Sequence, residues 1–217
     1  MNTWIWGPPT WRFLHTLSFS PQASAVAPQL ETFLLAMGSV LPCVYCRDSH
    51  HAFVHRLQER SGQSLRQVIH AGRLSVWMYE LHELVNNKLN AQVPKTKNNN
   101  ESLLHALQQK RQISFPCLAK RFHVRPIAFC DADVLDMMKM FALNVETHER
   151  VPPEWEIFMT LMPLAVHVAG GSTALVAFTE AAAANKSSTP FLRVAKEEER
   201  ALYDVARAHS CVDGSCK

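Results

Sequence analysis

Between Trp77 and Leu89, the segment WMYELHELVNNKL places Trp77, Leu81, Leu84, Val85 and Leu89 on one stripe at helical spacing. The same period recurs along the chain, whereas alternating runs of β-branched and aromatic residues bounded by turn signals are scarce. Only seven glycines occur in 217 residues. The pattern predicts an all-α chain with helices over 8–19, 28–40, 43–60, 64–70, 73–91, 101–111, 131–145, 154–169, 172–184 and 195–209. Pro8-Pro9 suits a first helical turn, and Pro21 ends that helix. The polar run KTKNNNES (95–102) is the sharpest break in composition, compatible with a domain edge or a surface loop. It divides the chain into a unit over 1–95 and a second helical region over 96–217. That second region has apolar faces at Val134, Met137, Met138, Phe141 and Leu143 and ends in a C-x4-C tail.

Apolar residues make up 47% of the chain and charged residues 19%, a balance that buries a core rather than one that stays disordered. The net charge is only +3, and no basic stripe runs along either half. A phosphate-backbone binder needs one, so nucleic acid is not an expected partner. The start, MNTWIWGPPTWRFLH, lacks the basic and apolar blocks of a secretory signal, and folding is expected from the first few residues. Residues 157–178 contain no charge and are long enough to span a bilayer. Pro163, His167, Gly170-Gly171, Ser172 and Thr173 interrupt them, which favours two buried helices over a membrane span.

Trp11 and His15 are four apart and share a helix face, where they either grip a flat aromatic ligand or sit as an ordinary buried pair. His82 and Asn86 repeat that spacing beside the Trp77 stripe, offering donors and acceptors to a polar ring or to a neighbouring helix end. The six cysteines, at 43, 46, 117, 130, 211 and 216, allow fifteen full pairings. Cys117 and Cys130 fit a static bridge or two buried thiols equally. Cys211 and Cys216 enclose the turn-forming Asp-Gly-Ser on a tail, as a mobile shuttle or as a structural clip. Four thiols, or CVYCRDSHH, supply the donors for zinc. There is no second C-x-x-C partner, however, and the core is ample, so no metal is expected. Redox chemistry asks for what LPCVYC (41–46) provides. Pro42 starts a helix, Cys43 lies at its exposed end, Cys46 lies one turn in, and Arg47 favours a thiolate.

Taken in order, WRFLH (11–15), PCVYC (42–46) and WMYELHELVNNKL (77–89) resemble the Erv/ALR family of FAD-dependent sulfhydryl oxidases. The family pattern is W-x-x-L-H, Pro-Cys-x-x-Cys and W-x4-H-x2-V-N-x2-L, and the resemblance covers residues 4–92. It implies a four-helix FAD-binding bundle, usually dimeric, followed here by the helical C-terminal region. Gly7, Thr10, Trp11 and His15 would line the FAD, and His82, Val85, Asn86, Lys88 and Leu89 would contact its adenine and ribose-phosphate side. Cys46 would lie against the flavin and form a charge-transfer complex when reduced, while Cys43 would face outward to exchange disulfides.

The chain departs from the family at Glu83, commonly Asn, and at Tyr79, where many cellular members carry a cysteine. The family's later Lys-Pro and Arg-Trp contacts have no clear counterpart after Asn90. The lean N-terminus, the missing cysteine and VNNKLN resemble members from large cytoplasmic DNA viruses.

The implied function is a sulfhydryl oxidase that makes disulfides in substrate proteins or a thioredoxin-like carrier. Electrons would pass through Cys43–Cys46 to FAD and on to O2, giving hydrogen peroxide, with Cys211–Cys216 as the candidate shuttle. A zinc-stabilised interaction module and a degenerate scaffold are the alternatives. The expected compartment is a cytoplasmic viral assembly site, with the mitochondrial intermembrane space second.

Overall fold

The structure, a computed structural model, describes residues 3–92, 114–124, 131–146 and 151–184, together with the backbone of 211–212 and 215–216. Nine α-helices occur among the described residues. They are α1 (Thr3–Ser18), α2 (Ala27–Val40), α3 (Val44–Ser61), α4 (Leu65–His70), α5 (Leu74–Gln92), α6 (Phe115–Val124), α7 (Asp131–Glu146), α8 (Pro153–Val168) and α9 (Thr173–Ala184). A short 3-10 turn, Ala23–Val26, leads into α2. The sole sheet among the described residues is a two-stranded antiparallel ladder, β1 (Cys211–Val212) with β2 (Ser215–Cys216). The all-α expectation holds, and the helices expected from 28 to 91 and from 131 to 184 match to within a residue or so. Those expected over 101–111 and 195–209 lie outside the described residues.

Local chemistry accounts for several boundaries. Ser64 opens α4 with a capping box. Its Oγ accepts from the Gln67 N–H at 3.3 Å, and Gln67 Oε1 accepts from the Ser64 N–H at 2.8 Å. The uncharged stretch 157–178 is cut where α8 ends, with Gly170 at φ 87°, a left-handed turn open to glycine. No helix among the described residues is long and apolar enough to cross a membrane.

Two departures from the periodicity have physical causes. α1 begins at Thr3, so Pro8 and Pro9 fall inside the helix rather than in its first turn. Two backbone hydrogen bonds are forfeited there, and tertiary packing offsets the loss: Trp6 is buried edge-on against Phe141, ring centroids 6.0 Å apart. α6 was not expected. Its signal is Phe115, Leu118 and Phe122 at helical spacing, with Pro116 tolerated in the first turn.

The core runs through both parts of the chain. A chain of rings leads from Trp6 (α1) to Phe141 (α7), to Phe158 (α8), to Phe33 (α2) and returns to α1 at Phe13, with centroids 5.3–6.2 Å apart. α2 is the hub, packed against α8 as well as α3 and α4, while α1 lies between α5 and α7. The described helices after residue 130 therefore complete the core begun by α1 and α2. At the surface, both nitrogens of an Arg12 fork reach the Asp133 carboxylate, tying α1 to α7. Ser172 donates its backbone N–H and its hydroxyl to Asp131, tying α9 to α7.

Candidate functional site

α1 and α5 bring three of the expected ligand residues together. The His82 ring stacks on Trp11, centroids 3.9 Å apart and planes within 6°. Its Nδ1 lies 2.9 Å from His15 Nε2, so one imidazole donates and the other accepts. Helical spacing on α1 aligns Trp11 with His15, and the packing of α1 on α5 supplies His82. Phe122 of α6 closes the far side of His15 at 6.4 Å and stacks on Phe19 at 4.3 Å. Tyr79, at the family's cysteine position, meets Phe115 of α6 edge-on at 5.5 Å.

Burial holds these imidazoles neutral. His15 is pushed down to about 4 by loss of solvent. His82 is pushed to about 3, first by burial and then by the neighbouring His15. His15 Nδ1 is buried with no hydrogen-bond partner, as is Trp77 Nε1 on α5. An orphaned polar atom of this kind costs about 1–3 kcal/mol and is the usual mark of a missing partner.

The other expected ligands surround this cluster. Thr10 is buried and spends its hydroxyl on the Trp6 carbonyl at 2.6 Å, and a side chain at half-buried Gly7 would meet nothing within 4 Å. Along α5 the character changes after Leu81. Leu74, Trp77, Met78 and Leu81 are buried, whereas His82 through Asn90 are all half-buried apart from exposed Asn87. Leu84, Val85 and Leu89 thus present apolar surface that no protein core covers completely. Asn86 Nδ2 donates to Glu83 Oε1 at 3.3 Å. Lys88 reaches across to α3, donating to the Tyr45 carbonyl at 2.9 Å and to Ser49 Oγ at 2.6 Å.

The cysteine pair opens α3. Cys43 is its N-cap, extended at φ −123° and ψ 121°, and the Cys43 carbonyl accepts from the N–H groups of Cys46 and Arg47 at 2.9 and 3.0 Å. The expectation that Cys43 faces outward is corrected here. Its extended backbone turns the side chain into the core, where it is 5% exposed, while Cys46 in the first helical turn is half-buried. Between them Val44 and Tyr45 are exposed. Arg47 turns back to the Leu41 carbonyl at 2.6 Å, closing the loop before α3. Cys117 is exposed and unbridged on α6, neither buried nor clipped as expected, and Cys130 lies outside the described residues. At the tail, β1 and β2 pair Cys211 directly with Cys216 in register.

The sequence did not show Phe122 over His15, the reach of Lys88 to α3, or the seating of His50 against α2. His50 is buried against Gly38 of α2, and its pKa is pushed down to about 4 by burial, then by His51.

These features define an all-α fold among the described residues, apart from the short ladder of the tail, with a Cys-x-x-Cys at a helix start and a Trp/His cluster on an adjoining helix pair. Residues 8–103, somewhat under half of the chain, match the model of the Erv1 / Alr family. The match does not single out the viral members. No curated protein and no solved structure matches the chain. Members of the Erv1 / Alr family are generally sulfhydryl oxidases that bind FAD.

The residues present fit such a group. A flat heteroaromatic needs a stacking face, a polar partner for its edge and apolar surface to cover. Trp11 and His82, the orphaned Nδ1 of His15, and the half-covered Leu84, Val85 and Leu89 offer these in turn.

Proposed function

We propose that the chain is an FAD-linked sulfhydryl oxidase, with Cys43–Cys46 as its redox pair and O2 as the final acceptor. The observation that carries this reading is the span of α5. His82 stacks on Trp11, and Lys88, six residues on, holds the first turn of α3 beside Cys46. At 1.5 Å per residue the aromatic cluster and the thiol helix are separated by about 9 Å along α5, the reach of a tricyclic ring. Trp11, His15, His82, Val85, Asn86 and Leu89 would hold the FAD, with Gly7 leaving room and Thr10 fixing the α1 backbone. Bound FAD supplies a two-electron acceptor that O2 reoxidises, giving hydrogen peroxide.

The chain's own residues handle the thiols. A substrate thiolate attacks one sulfur of the Cys43–Cys46 disulfide, and the substrate's second thiol displaces the mixed disulfide. The substrate leaves oxidised, two protons are released, and the pair holds two electrons. Cys46 is the accessible sulfur, and the α3 dipole favours its thiolate. Attack on Cys43 requires the Leu41–Cys43 loop to open, which breaks the Arg47–Leu41 hydrogen bond. Neutral His15 and His82 offer a hydrogen-bond donor and acceptor without adding charge to the site. Cross-strand pairing places the Cys211 and Cys216 backbones opposite each other, which fits a shuttle and a structural clip alike; the proposal takes the shuttle.

The test is the visible spectrum of the purified protein before and after dithiothreitol under air. Flavin bands that bleach and then recover, with oxygen consumed, are expected, and Cys46→Ser should reduce turnover to background. Serine at both 211 and 216 should slow turnover of protein dithiols while small thiols are still oxidised. A colourless protein would sink the oxidase reading.

A further inference from the structure

Lys88 makes a contact that a cofactor ligand alone does not require. Its ammonium bridges α5 to α3 through the Tyr45 carbonyl and Ser49 Oγ, and Ser49 itself donates to Tyr45 O at 2.6 Å. The three groups form a closed network on one turn of helix. Tyr45 O belongs to the peptide unit whose nitrogen is that of Cys46. That N–H in turn donates to the Cys43 carbonyl at 2.9 Å. Charge on the carbonyl therefore polarises the bond that closes the Cys-x-x-Cys turn. Arg47, the cation nearest in sequence, points its guanidinium back to Leu41 O, before the pair, and keeps its charge there. Lys88 is the basic side chain that α5 delivers to the turn itself.

We infer that Lys88 is a positioning residue for the redox pair: it clamps the first turn of α3 to α5 and holds positive charge on the Tyr45–Cys46 peptide, so that Cys46 ionises readily. Its purpose rests on the oxidase reading, but its chemistry, the ionisation of Cys46, is measurable without it. Positive charge held on the peptide that carries the Cys46 nitrogen favours the thiolate, with an expected effect of about one pH unit. This adds to the helix dipole, which acts on Cys46 whether Lys88 is present or not. The carbonyl and hydroxyl contacts set direction, because an ammonium on a flexible stem has no preferred position until partners fix it.

The experiment is per-residue alkylation of the full-length, reduced protein by iodoacetamide across pH without oxygen, with labelling of Cys46 and Cys43 read separately by mass spectrometry. Lys88→Gln keeps an N–H donor for Tyr45 O and removes the charge. Lys88→Arg keeps the charge, and Lys88→Met removes both. In Lys88→Gln the Cys46 titration should move up by about one pH unit, cutting labelling near neutral pH about tenfold. Lys88→Arg should stay within about twofold of the parent, a result a purely structural role would not produce alongside the first. Circular dichroism identifies any variant that fails to fold, and Lys88→Gln is the variant on which the inference stands. An unmoved Cys46 titration in folded Lys88→Gln overturns it. A colourless parent protein in which Lys88→Gln still moves the titration would remove the oxidase reading and leave this one standing.

Discussion

At neutral pH the imidazoles of His15, His82 and His50 are all neutral, because burial disfavours their charged forms. In the unfolded chain each would titrate near 6.5. Above that pH neither state gains protons, so the three histidines leave stability unchanged. As pH falls below it the unfolded chain binds protons that the folded one refuses, until pH reaches about 4 for His15 and His50 and about 3 for His82. Each contributes a loss of about 1.4 kcal/mol per pH unit across that window. The thermal midpoint should be flat from pH 8 to 7 and fall steadily from about 6.5 to 4. His50→Gln should make the decline shallower by about a third. A midpoint that ignored pH over this range would contradict the burial of these rings. The i,i+4 spacing of Trp11 and His15 was legible because it is local to one helix. The neutrality of His15 was not, since it depends on Phe122 and His82, which arrive from α6 and α5.

Helix against helix, α2 and α3 meet with no room to spare at Gly38. A Cβ built on Gly38 would stand 2.0 Å from His50 Nδ1, so the imidazole occupies the space a side chain would need. Ser39 and His51 extend the same seam, with Oγ and Nε2 3.3 Å apart. An Ala in place of a mid-helix Gly ordinarily gains about 1 kcal/mol. Here the clash reverses the sign, and Gly38→Ala should destabilise by about 1–3 kcal/mol in denaturant titration. Pairing it with His50→Ala should cost less than the sum of the two single changes, because the ring that clashes is gone. Full additivity would mean that the two residues do not touch. From sequence, Gly38 is one more glycine in a helix, and His50 one more residue after a Cys-x-x-Cys. Only the crossing of α2 over α3 makes them partners. α6 shows the reverse situation. Phe115, Leu118 and Phe122 stand at helical spacing in the sequence, and Pro116 falls in the first turn, where a helix tolerates it.

Across the molecule, α7 and α8 support the helices that carry the site. Phe158 is fully buried and touches Phe33, Phe141 and Trp155, so it links α2 to the C-terminal helices. Phe158→Ala should cost about 3–5 kcal/mol, measured by chemical denaturation. If FAD is bound, it should be released at a lower temperature than from the parent, because α1 and α2 lose their backing. An unchanged denaturation midpoint would mean that the C-terminal helices do not share the core. The sequence by itself determined the helices from 28 to 91 and from 131 to 184, along with the residues that share a face, because periodicity and i,i+4 spacing are properties of one helix. It also determined the motifs of the candidate site, since WRFLH, PCVYC and HELVNNKL are each contiguous. Tertiary structure alone decided that His15 meets His82, 67 residues away, that Lys88 holds Tyr45, 43 residues away, and that Cys43 turns inward. It also decided that the helices after residue 130 join the first core. The physical reason is the same each time. An apolar or polar stripe states which face a helix will bury, but many stripes are interchangeable, and the docking of one against another selects the partner.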